Sequence, residues 1–331
     1  MLNWDEIIGH QQVVAMVKAM LSSGNLPHAL LFTGPLGVGK SLIAQILAAG
    51  ILCSSDYDKP CGHCQSCMQF NRGAHPDFIL VRPDGANIKI DQIRLLQHFA
   101  ALSPAISHGR VCLIEDTELM TVQAANSLLK LLEEPPPGFV FILVAGTSKP
   151  LLPTILSRCR KISFQQLPAD VLAQALVNQG YSSDAAVVAA RLSGGRMGKA
   201  LSLIKAEGLE SRTTAVELIN CLYNRDRMAV WEQAARLESL DNKDIVIVLE
   251  FVLYLLRDVL LVAGRYDEQL IYNIDLESKL AAWAGIWSEN ACMAALSAVR
   301  DTIRAIGGNA NTRLALEELL IKLRDLVEKG D

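Results

Sequence analysis

Residues 29–41 read Ala-Leu-Leu-Phe-Thr-Gly-Pro-Leu-Gly-Val-Gly-Lys-Ser. The apolar run ALLFT stops at a turn holding Gly34, Gly37 and Gly39, and a helical pattern runs on from Ser41 to Leu52. Strand, loop and helix in that order open a parallel α/β sheet. Further apolar runs at 78–81 (FILV), 110–114 (RVCLI) and 139–145 (FVFILVA) supply more strands. Helical segments separate them, notably Val122 to Glu134, which Pro135, Pro136 and Pro137 terminate. Strands this continuously apolar, set between helices, indicate a sheet covered on both faces.

Strand signals end at about residue 165. Two or three short helices are expected over 168–206, around the Gly194-Gly195 break, and helices from about Ser211 onward, with breaks near Gly264 and Gly307-Gly308. The expected plan is an α/β P-loop domain over 1–166, a small helical domain over 167–208 and an all-α bundle over 209–331. A chain of 331 residues suits two or three domains. Its formal net charge of -4 excludes binding nucleic acid through bulk charge alone.

The most apolar stretch, Ile245 to Ala263, is interrupted by Glu250, Arg257 and Asp258, so a buried helix is expected and a membrane span is not. The acidic N-terminal stretch lacks an apolar core of signal length, so no export signal is expected. Four of the eight cysteines gather near one another, which favours a metal in a reducing cytoplasm over a disulfide scaffold.

Gly34 to Ser41 fits G-x-x-x-x-G-K-[ST], between a strand and a helix as that motif requires. Gly34, Gly37 and Gly39 let backbone N–H groups turn inward around phosphate oxygens, aided by the helix N-terminus. Lys40 would reach the β and γ phosphates, and Ser41 would ligate Mg²⁺. Hydrolysis needs a carboxylate near the metal and another to orient water. The candidates are Glu115, Asp116, Thr117 and Glu118, after the strand RVCLI. Glu115 would crowd the metal by one methylene and Asp116 would fall short of the water by roughly 1.5 Å. An error of that size costs on the order of a hundredfold in rate. ATP binding with weak or absent intrinsic hydrolysis is the expectation.

Cys61, Cys64 and Cys67 stand at C-x-x-C-x-x-C spacing, with Cys53 eight residues before the first. Four thiolates fit a closed, structural Zn²⁺ site, and a metal there could order a loop with little core of its own. Cys112 and Cys159 read as core residues.

Three features together resemble the bacterial clamp-loader branch of the AAA+ ATPases, over residues 1 to about 205. They are the zinc-type cluster between the phosphate loop and the next strand, the helix Ala124-Ala-Asn-Ser-Leu-Leu-Lys-Leu-Leu-Glu-Glu-Pro-Pro136, and the tripeptide Ser157-Arg158-Cys159. The resemblance implies a subunit of the replicative polymerase holoenzyme, where nucleotidyl transfer belongs to the polymerase. Its implied partners are tau/gamma motor subunits, a delta subunit, the sliding clamp and primer-template DNA within the assembled complex. It implies that Arg158 is an arginine finger for a neighbour's ATP and that Thr147, or Ser148, senses the γ-phosphate. It also implies that Ile8, Gly9 and His10 line the adenine pocket, and that the arginine expected over the nucleotide is replaced by Gly198, with Arg196 two residues early.

The chain's end near 331 and its irregular acidic turn resemble the branch's non-motor subunit, whereas the intact phosphate loop leaves occupancy by ATP and Mg²⁺ open. The alternatives are a self-sufficient motor subunit of tau/gamma type, or another AAA+ ATPase such as a helicase loader, and a zinc module that binds nucleic acid on a vestigial ATP fold. Lys130 is a candidate phosphate contact.

Overall fold

The computed structural model describes residues 2–223, 227–267, 270–308 and 310–328. The chain forms two compact units, Met1–Leu172 with Gly195–Gly198, and Ala173–Gly194 with Lys199–Asp331.

The first unit is built on a five-stranded parallel sheet of β1 (Ala29–Thr33), β2 (Phe78–Val81), β3 (Arg110–Ile114), β4 (Phe139–Ala145) and β5 (Arg160–Ser163). Their order is β2-β3-β4-β1-β5. The first four strands lie at the bounds read from the apolar runs. The fifth was not expected, because only Ile162 of its four residues is buried and an edge strand so exposed reads as loop.

Around the sheet stand α1 (Gln11–Ser23), α2 (Lys40–Leu52), α3 (Gln65–Asn71), α4 (Ile90–Ala101), α5 (Val122–Glu133) and the one-turn α6 (Pro153–Leu156). Successive strand residues point to opposite faces, so each face has its own core. Leu30, Phe32, Leu113, Ile142 and Val144 meet Ile43 and Leu47 of α2 on one side. Leu31, Cys112, Ile114, Phe141 and Leu143 meet Ile93, Leu96, Leu128 and Leu132 of α4 and α5 on the other. This is the two-faced sheet expected from the sequence: a parallel α/β P-loop domain followed by helices.

β1 lies between β4 and β5, and its partners run Thr33 beside Ala145 and Ser163. Val81 pairs with Ile114, and Ile114 with Leu143. The residues that follow β1, β3 and β4 therefore meet at one end of the sheet, where ligands bind in open α/β folds.

Three helices come next in the chain: α7 (Ala169–Asn178), α8 (Ser183–Ser193) and α9 (Met197–Ile204). The second unit continues with α10 (Ala206–Tyr223), α11 (Arg227–Glu238), α12 (Asn242–Ala263), α13 (Glu277–Ala284), α14 (Glu289–Gly307) and α15 (Thr312–Glu328). α12 packs against α10, α13 and α14, and α14 against α15. Within α12, Val248, Leu249, Val252, Leu255, Leu256 and Val259 are buried. Its buried Asp258 accepts from the backbone N–H groups of Tyr272 and Asn273, the Asn273 amide and Arg257. Among the described residues, no helix is long and apolar enough to cross a membrane.

Candidate nucleotide site and metal centre

The phosphate loop leaves β1 at Gly34, whose φ of 149° brings its α-carbon against β5; a Cβ there would lie 2.4 Å from the Phe164 carbonyl oxygen. No side chain fits at that approach. Gly39, at φ 102°, precedes the first residue of α2. Lys40 is buried, and its Nζ donates to the Gly34 and Pro35 carbonyls at 2.6 and 2.7 Å. The ammonium thus bridges two carbonyls of its own loop. Burial lowers the Lys40 pKa, opposed by the charges of Glu118 and then Asp116. Ser41 follows in the first turn of α2 and is partly buried.

The acidic turn after β3 divides its carboxylates. Glu115 is buried and ion-paired to Arg82 Nε at 2.6 Å. Asp116 takes a left-handed conformation (φ 50°) and opens a single 3-10 turn, Thr117–Leu119. Thr117 is buried and its hydroxyl donates to the Ile114 carbonyl. Glu118 leans the other way, its Oε1 accepting the Gly146 N–H at 2.6 Å just past β4. That contact, which depends on the turn's backbone, has no signature in the sequence. Thr147 is exposed beside it, and its hydroxyl accepts from the Lys149 N–H at 3.3 Å. Ser148 accepts instead from Lys161 at 3.3 Å.

Gly198 closes on the same loop. Its N–H donates to the Gly37 carbonyl at 2.9 Å, and a Cβ there would stand 3.4 Å from Gly37 Cα. His10, at φ 52°, brings Nε2 to 2.8 Å from the Val38 carbonyl and sets its ring edge-on to Phe164. Burial lowers its pKa, so the neutral ring donates from Nε2.

Arg158 follows α6. Its Nη2 pairs with Glu133 of α5 at 2.7 Å, and its Nη1 donates to the Thr154 carbonyl at 2.9 Å. The side chain is 33% exposed. Lys130 is exposed on α5.

The Sγ atoms of Cys53, Cys61, Cys64 and Cys67 all lie within 4.8 Å of one another. Cys53 and Cys64 stand 3.9 Å apart, and Cys61 and Cys67 stand 4.0 Å apart. Four sulfurs around Zn²⁺ at about 2.3 Å define a tetrahedron with edges of about 3.8 Å, so the donors match such a metal in number, kind and spacing. Backbone N–H groups of Ser55 and Cys61 point at Cys53, that of Cys64 at Cys61, and that of Cys67 at Cys64, which favours thiolate. Burial pushes the Cys64 thiol up, but hydrogen bonds from Ser54 and the Cys67 backbone outweigh it and bring it to about 6. Burial raises Cys53 and Cys67. Cys112 is fully buried in the sheet, and the partly buried Cys159 packs against the same core.

Residues 9–168 match the family described as DNA polymerase III, delta subunit. A DNA polymerase III subunit delta' of Bacillus subtilis is 30% identical, over 98% of this chain and 99% of its own. The chain belongs to the delta' family of DNA polymerase III subunits. An Escherichia coli member is 28% identical over 94% of this chain and 93% of its own. A gamma/tau subunit of Mycobacterium bovis is 33% identical, but over 60% of this chain and only 36% of its own. A solved Thermotoga maritima protein related to the DNA polymerase III gamma subunit shares the fold, with TM-score 0.50 and 18% identity, covering 94% of this chain and 99% of its own. As a delta' family member, the chain is a subunit of the clamp-loader family serving DNA replication, and its cysteine cluster has the donors to hold a metal.

Proposed function

We propose that this delta' family subunit completes the ATPase site of an adjacent motor subunit with Arg158, and itself turns ATP over weakly or not at all. The observation that carries this reading is the state of Arg158. Its guanidinium is part-exposed at the end of a one-turn helix, and its charge is met by a surface carboxylate, Glu133. An exposed pair of this kind is worth about 0–1 kcal/mol, so the arginine is released at little cost. Set against a developing triphosphate charge, an arginine finger contributes about 10³–10⁵ in rate.

The acidic turn supports the second half of the reading. With Glu115 committed to Arg82 and Asp116 in a left-handed turn, the two carboxylates after β3 are not arranged as a metal-and-water pair. The loop at Gly34–Ser41 binds ATP with Mg²⁺ as a structural occupant, and Thr147 lies at its rim. The four cysteines hold a structural Zn²⁺. In this reading residues 1–166 form the ATPase-type domain, 167–208 a lid and 209–331 a collar that assembles with tau/gamma and delta subunits in the cytoplasm. The assembled complex grips primer-template DNA by its phosphates, Lys130 among the contacts, and opens the sliding clamp.

The test is reconstitution with motor and delta subunits, followed by clamp- and DNA-stimulated ATPase measurements. Arg158→Ala should leave assembly intact by gel filtration and lower the stimulated rate by about 10³ or more if the arginine acts as such a finger. An unchanged rate overturns the role.

A further inference from the structure

The geometry points to Glu118, rather than Glu115 or Asp116, as the carboxylate of this chain that holds the Mg²⁺ of a nucleotide in the phosphate loop. The inference rests on the reading that the loop takes a nucleotide. It starts from an oxygen with nothing to do. Glu118 Oε1 accepts the Gly146 N–H at 2.6 Å, whereas Oε2 is buried with no partner among the described residues. A carboxylate oxygen shut away from water without donor or cation is unfavourable and calls for a reason. Its surroundings supply one. Glu118 is the foremost carboxylate acting on Lys40, ahead of Asp116. A Cβ built on Gly146 would stand 2.7 Å from Glu118 Oε1 and 3.9 Å from Leu36 of the phosphate loop, so the loop, the end of β4 and this carboxylate converge.

Glu115 is the rival, since its Oε1 is also buried and unpartnered. Its other oxygen, however, is held by the Arg82 cation at 2.6 Å. Among the described residues Glu118 makes no ion pair within 4 Å, and its bonded oxygen takes a backbone N–H. The 3-10 turn is also fixed in place, with Leu119 N–H donating to the Asp116 carbonyl at 2.8 Å and Ile88 N–H to the Leu119 carbonyl at 2.9 Å. Glu118 is therefore held on a rigid turn four residues beyond the strand end, its carboxylate at the Gly146 N–H, and Gly146 lies beside Leu36 of the loop. Mg²⁺ takes one or two carboxylates together with phosphate oxygens and water, and a single oxygen offered in this way is enough.

The experiment measures binding of a fluorescent ATP analogue to the full chain, with Mg²⁺ and with EDTA. In wild type, Mg²⁺ should tighten binding by roughly tenfold, the effect of one well-placed ligand. Glu118→Gln keeps the oxygen that accepts from Gly146 and removes the charge. It should abolish the Mg²⁺ effect while leaving affinity in EDTA within about twofold. Glu115→Gln and Asp116→Asn should keep the effect, and Lys40→Ala should weaken binding in both conditions. Retention of the Mg²⁺ effect in Glu118→Gln, or its loss in Glu115→Gln alone, overturns the assignment while leaving the loop a nucleotide site. Failure of wild type to bind under either condition overturns the nucleotide reading, and the assignment falls with it.

Discussion

Asp77 has no exposed surface and holds its charge among backbone donors. The N–H groups of Ala105, Ile106 and Ser107 approach it at 2.6, 2.9 and 2.9 Å, and Arg110 Nε lies 3.5 Å away. Burial alone would raise its pKa, but the three N–H groups and the arginine outweigh that and hold it below the usual 3.8. A carboxylate whose folded pKa is depressed adds stability above its unfolded pKa and loses it as pH falls through the folded value. Asp77→Asn should therefore cost about 2–3 kcal/mol at neutral pH. The gap from wild type should narrow below about pH 3.8 and close only in stronger acid. Urea unfolding across that range checks both parts, and a gap independent of pH would contradict the role of the charge. A lone Asp before a strand gives no sign of this in sequence, since its donors come from residues 28 to 30 positions later. Lys40 was legible because the glycine spacing that sets its surroundings is local. Glu118 was visible only as one of several acids, because a left-handed residue at 116 decides where it points.

At the level of elements, the buried strands were readable to the residue because both of their faces meet a core, leaving continuous apolar runs. β5 escaped for the opposite reason, with three exposed positions around Ile162. The cysteine cluster was readable from its spacing, and its dependence on metal can be argued from α3. That helix spans seven residues, too short to persist alone in water. A buried chain of contacts ties it down: Ser66 Oγ lies 2.9 Å from His75 Nε2 and 3.1 Å from Ser107 Oγ, and Ser107 donates to the Leu52 carbonyl. In the proposed reading, a metal on the four sulfurs would close the segment from Cys53 to Cys67, a cross-link of a size worth about 3 kcal/mol. If zinc sits there as proposed, chelation, or Cys64→Ser, should release one equivalent of Zn²⁺ and speed tryptic cleavage at the already exposed Arg72 by loosening the backbone of α3 that it caps, while the sheet survives. Zinc release assays and limited proteolysis check this, and a Cys64→Ser protein that keeps a full equivalent of metal would contradict it.

For the molecule as a whole, the sequence from about Ser211 onward read as helical with breaks near Gly264 and Gly307-Gly308, whereas the described residues there form α10 to α15, so the helical character was legible and the number and use of the helices were not. α15 buries Leu316, Leu319, Leu320, Leu323 and Val327, yet leaves Leu314 and Ile321 exposed, seven residues apart on one stripe. If this stripe meets partner subunits in the collar, Leu314→Glu with Ile321→Glu should block co-elution with them. It should leave the stability of the isolated chain within about 0.5 kcal/mol, as expected for surface changes. Gel filtration and thermal melts decide this, and normal assembly of the double variant would remove the stripe from the interface. β5 has a bearing on the subunit before assembly. Its outward Arg160 and Lys161 line the one margin of the sheet next to β1, and lysine or arginine on such a margin repels the addition of another chain's backbone. An unassembled subunit should therefore resist growth of its sheet by a second copy at this edge.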